Sequence, residues 1–127
     1  HCVDPWLPYR EINDNDKMFN AEKNFDEMMK NYNNIYKKKM MSDQAVILFE
    51  DNTIDIVYID DDHSSEQVEK EIKLWYPKIK KTGYMAGHDI NMPTVFNVVT
   101  KYFDPTMIEF FNDTSWIVSV NNKIKEI

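Results

Sequence analysis

The chain holds one cysteine, two glycines and no apolar stretch that approaches membrane-spanning length. Each scarcity excludes something. A lone thiol, Cys2, cannot form an internal disulfide, which fits a reducing compartment. The first residues lack the charged-then-apolar order of a secretory signal, so a soluble, cytoplasmic protein with no membrane partner is expected. Tight basic runs are as scarce: Lys37-Lys38-Lys39 stands alone and reads as a solvated strand edge or loop. With a formal net charge of −7, nucleic acid is not an expected partner, because phosphate binding needs clustered Lys and Arg to displace counterions. Gly83 and Gly87 both lie far downstream, so no Gly-rich turn near the start can bring backbone amides close to a ligand.

What remains is ample for a globule. Hydrophobic residues make up 43% and aromatics 13% of 127 residues, enough for a single domain with one core. Ile54-Asp55-Ile56-Val57-Tyr58-Ile59 is a short β-branched run that reads as a strand buried on both faces of a parallel sheet. It runs straight into Asp60-Asp61-Asp62-His63, so three carboxylates and an imidazole fall at the carboxyl end of the strand, where α/β proteins place ligands. An unpaired charge at the end of a buried strand is expensive unless it meets a ligand, a metal or a donor, and that singles out Asp60. Ser64 and Gln67 make a capping box for a helix over 65–75, with Val68, Ile72 and Trp75 on its buried face. The helix dipole accounts for Asp61, Asp62 and Glu66 without a ligand.

The other elements follow from periodicity and breakers. Residues 1–4 read as a strand tail stopped by Pro5 and Pro8, and residues 11–17 as a polar loop. A helix follows with Ala21, Phe25, Met28 or Met29, and Tyr32 along one face, and Glu22, Lys23, Asp26, Glu27 and Lys30 largely on the other. A short strand over 35–40 and a helix over 43–49 capped by Ser42 come next. Pro77 interrupts, Gly83 opens a strand that reaches His88-Asp89, and Pro93 starts a helix faced by Val95, Val98, Val99, Tyr102 and Phe103. Residues 107–111 and 116–120 form an antiparallel hairpin about Asn112-Asp113-Thr114-Ser115. This order predicts an α/β fold: a doubly wound, mostly parallel sheet closed by a C-terminal antiparallel hairpin.

Three motifs in this order, Cys2-Val3-Asp4-Pro5-Trp6, Ile59-Asp60-Asp61-Asp62-His63-Ser64 and Gly87-His88-Asp89, resemble the class I S-adenosylmethionine-dependent methyltransferases. The likeness is to the O-methyltransferase branch whose strand ends in Ile-Asp-x-x-His-Ser, and it runs from about Cys2 to Val120. The resemblance implies a Rossmann-like fold and S-adenosylmethionine as cofactor. Asp4 would hold the ribose hydroxyls, although a turn role before Pro5 is open. Trp6 would border the pocket or belong to the core. Ser42 and Asp43 would face the adenine, unless Ser42 serves only as a helix cap. Asp60 would lie beside the cofactor. The metal-dependent members imply Mg²⁺ held by Asp60 and Asp89, with His88 as an orienting or basic group. Without a metal, His63 or His88 would be the base, and a capping role for His63 is the alternative.

The chain departs from that family in lacking the first strand and its Gly-rich turn, which lie at the centre of the sheet. Three accounts are open: a fragment of a longer protein, loss of the first unit, or a neighbouring chain that fills the gap. Ser65 also stands where the family often has Tyr, and Asp62 where a small residue is common. The expected function is methylation of a hydroxyl on a small molecule or sugar. The alternative is a non-catalytic relic or assembly module that forms a homo-oligomer through an exposed sheet edge, and a third reading is another nucleotide-binding α/β enzyme.

Overall fold

The computed structural model describes residues 1–8, 15–121 and 124. They form two compact units, His1–Ala45 and Val46–Ile127.

In the first unit β1 (Cys2–Val3) pairs in parallel with β2 (Lys37–Lys38), matching Cys2 to Lys37 and Val3 to Lys38. Between them runs α1 (Asn15–Met29), and α2 (Ser42–Ala45) ends the unit. The expected loop over 11–17 falls partly outside the described residues, with Asp16 and Lys17 already in α1. The covered stripe of α1 is Met18, Glu22, Phe25 and Met29, whereas Ala21 and Met28 are exposed. Glu22 is drawn onto that stripe by charge rather than hydropathy: its two oxygens accept from Lys37 Nζ at 2.6 Å and Lys39 Nζ at 2.7 Å, and Asp26 takes a second bond from Lys37 at 2.7 Å. The lysine run does begin on a strand, with Lys39 exposed as expected, but Lys37 and Lys39 are bound by the acids of α1.

The second unit is a four-stranded sheet in the order β3 (Ile54–Ile59), β4 (Ile79–Gly87), β6 (Trp116–Ser119), β5 (Glu109–Phe110), with α3 (Ser65–Trp75) and α4 (Pro93–Tyr102) as crossovers. β3 and β4 are parallel, and β6 is antiparallel to both its neighbours, so the hairpin closes the sheet as expected. The fold is thus mixed α/β, compatible with a Rossmann-like arrangement. α3 begins where Ser64 caps it, accepting from Gln67 N at 3.3 Å, and Pro93 occupies the first turn of α4.

Register decides which side chains share a face. The rows Val57–Met85–Val118 and Ile59–Gly87–Trp116 form the inner face, where Met85 is 0% exposed and Trp116 1%. Val68, Ile72 and Trp75 of α3 and Val95, Val98 and Val99 of α4 complete that core. The rows Ile56–Tyr84–Ser119 and Tyr58–Ala86–Ile117 form the other face, on which Ile56 is 54% and Tyr58 53% exposed. Among the described residues β3 is accordingly an edge strand open on one face, not the doubly buried strand expected from its composition. A β-branched apolar run reports strand propensity, and covering layers are a property of the assembled sheet.

β4 begins at Ile79, earlier than Gly83. Gly83 lies instead at an irregularity where the pairing jumps from Ile54–Ile79 to Ile56–Tyr84. A Cβ there would stand 2.5 Å from the carbonyl oxygen of Asp55, so the close approach of β3 needs glycine. The helix expected over 43–49 is divided into α2 and a 3-10 turn, Val46–Leu48, with Ser42 its first residue rather than the residue before it. No helix among the described residues is long and apolar enough to cross a membrane.

Candidate active site

β3 and β4 are parallel neighbours, so their carboxyl ends coincide, and the pairing of Ile59 with Gly87 puts Asp60 beside His88. His88 N donates to Ile59 O at 3.1 Å, which ties the two ends together. The chain turns sharply at Asp89, whose φ of 58° is left-handed, and Met92 N closes the turn on Asp89 O at 3.0 Å. The loop between β3 and α3 is stiffened by its own acids. Asp62 Oδ1 accepts from Ser64 N at 2.8 Å and Asp61 Oδ2 from Gln67 Nε2 at 3.2 Å. These two carboxylates thus serve the start of the helix, while Asp60 and His63 are directed to the strand ends.

There His63 Nε2 lies 2.5 Å from Asp89 Oδ2 and His88 Nδ1 lies 3.2 Å from Asp89 Oδ1. One carboxylate bridges two imidazoles. The hydrogen bond to Asp89 holds the pKa of His88 above the ordinary imidazole value against the opposing effect of burial, with Asp89 charge, the Asp113 carbonyl and Asp60 adding in the same direction. One ligand atom each from Asp60, His63 and Asp89 falls within 4.8 Å of the others. The site lines a shallow concavity of only about 10 Å³, partly open to solvent, whose apolar lining is Ile59, Val68, Val95 and Trp116.

Asp60 is exposed, so the reasoning from the burial cost of its charge does not hold. Its significance comes from proximity: two carboxylates this close repel, and a cation between them relieves that repulsion. The donor set of two carboxylates and an imidazole fits a divalent cation. The carboxylates suit Mg²⁺, and the imidazole widens the choice to first-row metals such as Mn²⁺. His63 joins the donors by its position, and the ring nitrogens of His88 lie 3.2 Å from Asp89 Oδ1 and 3.3 Å from Thr114 Oγ1.

The remaining sequence candidates lie in the first unit. Asp4 and the Ser42-Asp43 pair both follow the carboxyl ends of parallel strands. Asp4 Oδ1 accepts from Trp6 N at 2.6 Å, closing a turn in which Trp6 has a φ of 49°. Trp6 is buried, its ring 5.1 Å from that of Phe25, with Lys37 Nζ 4.7 Å from its centroid, so packing accounts for it. Neither glycine serves a ligand-binding turn: Gly87, like Gly83, lies in β4, where an added Cβ would meet Ile59 O at 2.7 Å and the Trp116 indole at 2.8 Å. Sequence reasoning missed Thr114. The quartet 112–115 signals a turn, but nothing in its spacing says that the turn folds back onto His88.

The chain matches the family described as a methyltransferase domain over residues 1–90, and it belongs to that family. Methyltransferase domains of this kind typically use S-adenosylmethionine as methyl donor. No curated protein and no solved structure matches the chain. The matched segment ends with β4 and its turn, so it contains Asp60, His63, His88 and Asp89 and excludes α4 and the hairpin.

Proposed function

We propose that this methyltransferase domain serves S-adenosylmethionine-dependent methylation of a hydroxyl on a small molecule or sugar, assisted by a divalent cation at Asp60, His63 and Asp89. The observation that carries the reading is the convergence of those three side chains at the ends of two parallel strands. In such a transfer the hydroxyl oxygen attacks the sulfonium methyl, the C–S bond breaks as the C–O bond forms, and the hydroxyl proton leaves to a base. A divalent cation supplies Lewis acidity toward the acceptor hydroxyl and fixes its position.

The protein's own residues do the rest. Asp89 orients His63 through Nε2, the carboxylate–imidazole pairing that raises basicity and fixes the ring. Where no cation is held, His63 is the base for the hydroxyl proton; where His63 holds the cation, Asp89 and the cation take both ring nitrogens, and the proton of a hydroxyl that the cation would acidify leaves to solvent. His88 supports Asp89 from the opposite side. Val68, Val95 and Trp116 give the concavity an apolar floor that limits water. Asp4 is the residue for the ribose diol of the donor, and Ser42 and Asp43 serve the adenine end. No Gly-rich turn in this chain supplies backbone amides to the donor.

Titration calorimetry with S-adenosylhomocysteine, with and without Mg²⁺ or Mn²⁺, tests both halves of the reading. Saturable binding of the nucleoside and of the cation is expected, with the cation lost in Asp60→Asn and Asp89→Asn while the thermal midpoint of Asp60→Asn stays within about 2 °C, as befits an exposed residue. Cation affinity unchanged in both variants overturns the metal assignment.

A second reading, self-assembly through β3, is favoured by one observation: the outer edge of β3 pairs with no strand among the described residues, and Ile56 and Tyr58 beside it are exposed. The occupant is a second copy of the chain. Light scattering would show a concentration-dependent dimer that Ile56→Lys disperses; a monomer at every concentration removes this reading.

A further inference from the structure

The hairpin turn between β5 and β6 lies outside the family match, yet it contacts the segment that carries Asp89. Thr114 O accepts from Ile90 N at 3.1 Å, and Thr114 Oγ1 pairs with His88 Nε2 at 3.3 Å. Thr114 itself is held at a φ of 71°, and Thr114 N donates to Phe111 O at 3.1 Å. A left-handed backbone is costly for a β-branched residue, and turns of this kind are ordinarily occupied by Gly, Asn or Asp. Asn112 and Asp113 are adjacent, so a residue better suited to the conformation is close at hand and does not occupy the position. Strain of this sort persists where the surroundings over-determine it, and here Thr114 meets His88 and Ile90, the two neighbours of another left-handed residue, Asp89.

We propose that Thr114 is a positioning residue of the active site: its hydroxyl, through His88, holds the Asp89 carboxylate in place for His63 and for the cation. His88 Nδ1 lies 3.2 Å from Asp89 Oδ1, and Nε2 lies 3.3 Å from the Thr114 hydroxyl, with the Asp113 carbonyl as a further acceptor for the ring. A hydroxyl serves the neutral or the charged ring because it can donate and accept. Valine, of the same shape and the same strain, can do neither.

The inference rests on the metal-assisted reading, and the test separates the two. Mn²⁺ binding to the full chain is measured by the loss of the free-ion electron paramagnetic resonance signal in wild type, Thr114→Val, Thr114→Ser and Thr114→Gly. Outer partners of metal ligands are worth roughly 10-fold to 100-fold in metal affinity, so Thr114→Val and Thr114→Gly should weaken Mn²⁺ by about 10-fold or more. Thr114→Ser should stay within about 3-fold of wild type. Thr114→Gly also relieves the left-handed strain and should raise the thermal midpoint while weakening Mn²⁺, a combination that a purely structural role does not produce. Equal Mn²⁺ affinity across the four proteins overturns the role of Thr114 and leaves the metal reading standing. If wild type binds no Mn²⁺, the metal reading fails, and Thr114 is then judged on the downfield proton resonance of the His63–Asp89 bond. Its loss in Thr114→Val and retention in Thr114→Ser sustains the positioning role; an unchanged resonance in both ends it.

Discussion

Gly87→Ala is a small change with a large expected consequence, because the added carbon has nowhere to go. Its Cβ would stand 2.7 Å from Ile59 O, 2.8 Å from Trp116 Nε1 and 2.9 Å from Trp116 Cε2, all closer than real side-chain carbons approach. Ile59 O belongs to the backbone of the adjacent strand and already accepts from His88 N at 3.1 Å. The Trp116 ring is 1% exposed and packs 6.4 Å, centroid to centroid, from Phe103. Relief therefore requires either that β3 move away from β4 or that a buried indole shift. Overpacking of this kind costs about 1–3 kcal/mol, and a weakened backbone hydrogen bond adds roughly 1 kcal/mol. A total of about 2–4 kcal/mol is a large share of the roughly 5–15 kcal/mol that holds a domain folded. At about 4 °C per kcal/mol for a chain of this size, the thermal midpoint should fall by on the order of 8–16 °C. Differential scanning calorimetry reads the midpoint, and tryptophan fluorescence reports whether the indole has moved. Ile47→Ala, at a side chain 79% exposed, is the control and should change stability by no more than about 0.5 kcal/mol. A midpoint within about 2 °C of wild type for Gly87→Ala, with unchanged fluorescence, would refute the reasoning that this glycine is required by the close approach of β3 and Trp116.

Two further substitutions probe the helical layer. Ser64→Ala removes the cap on α3 and should cost about 1 kcal/mol, seen as a midpoint lower by a few degrees; Ser64→Asp should restore it. Glu69 accepts from Lys101 at 2.6 Å and from the Tyr102 hydroxyl, and these bonds, Lys101 first, lower its pKa from 4.5 to about 2. A depressed acid contributes stability above its unfolded pKa and loses it as pH falls through the folded value. The midpoint of Glu69→Gln should therefore lie below that of wild type at pH 6, and the gap should close between about pH 4.5 and 2. A gap that persists at pH 2 would show that the effect is not ionic.

Much of the candidate site was legible from local chemistry. Asp60 was picked out because it follows an apolar strand run, whereas Asp89 was named only through the family resemblance; the parallel pairing of β3 and β4 brings the two ends together. The helix over 65–75 and its Ser64 cap were found to the residue, since capping and 3.6-residue periodicity are encoded within a dozen neighbours. The same local evidence misjudged Glu22, Ala21 and β3. Whether Glu22 faces solvent depends on where Lys37 and Lys39 end up, and whether β3 is covered on both faces depends on how many layers assemble.

By itself, then, the order of residues determined the element types, their caps and breakers, the mixed α/β class and the acids at two strand ends, because all of these follow from short-range periodicity and side-chain chemistry. Only the tertiary structure decided that β3 is an open edge, that Asp89 bridges His63 and His88, and that a distant hairpin brings Thr114 onto the same imidazole. The His63–Asp89 and His88–Thr114 contacts each join residues 26 positions apart, and such partners are selected by sheet register and packing, which no window along the chain contains.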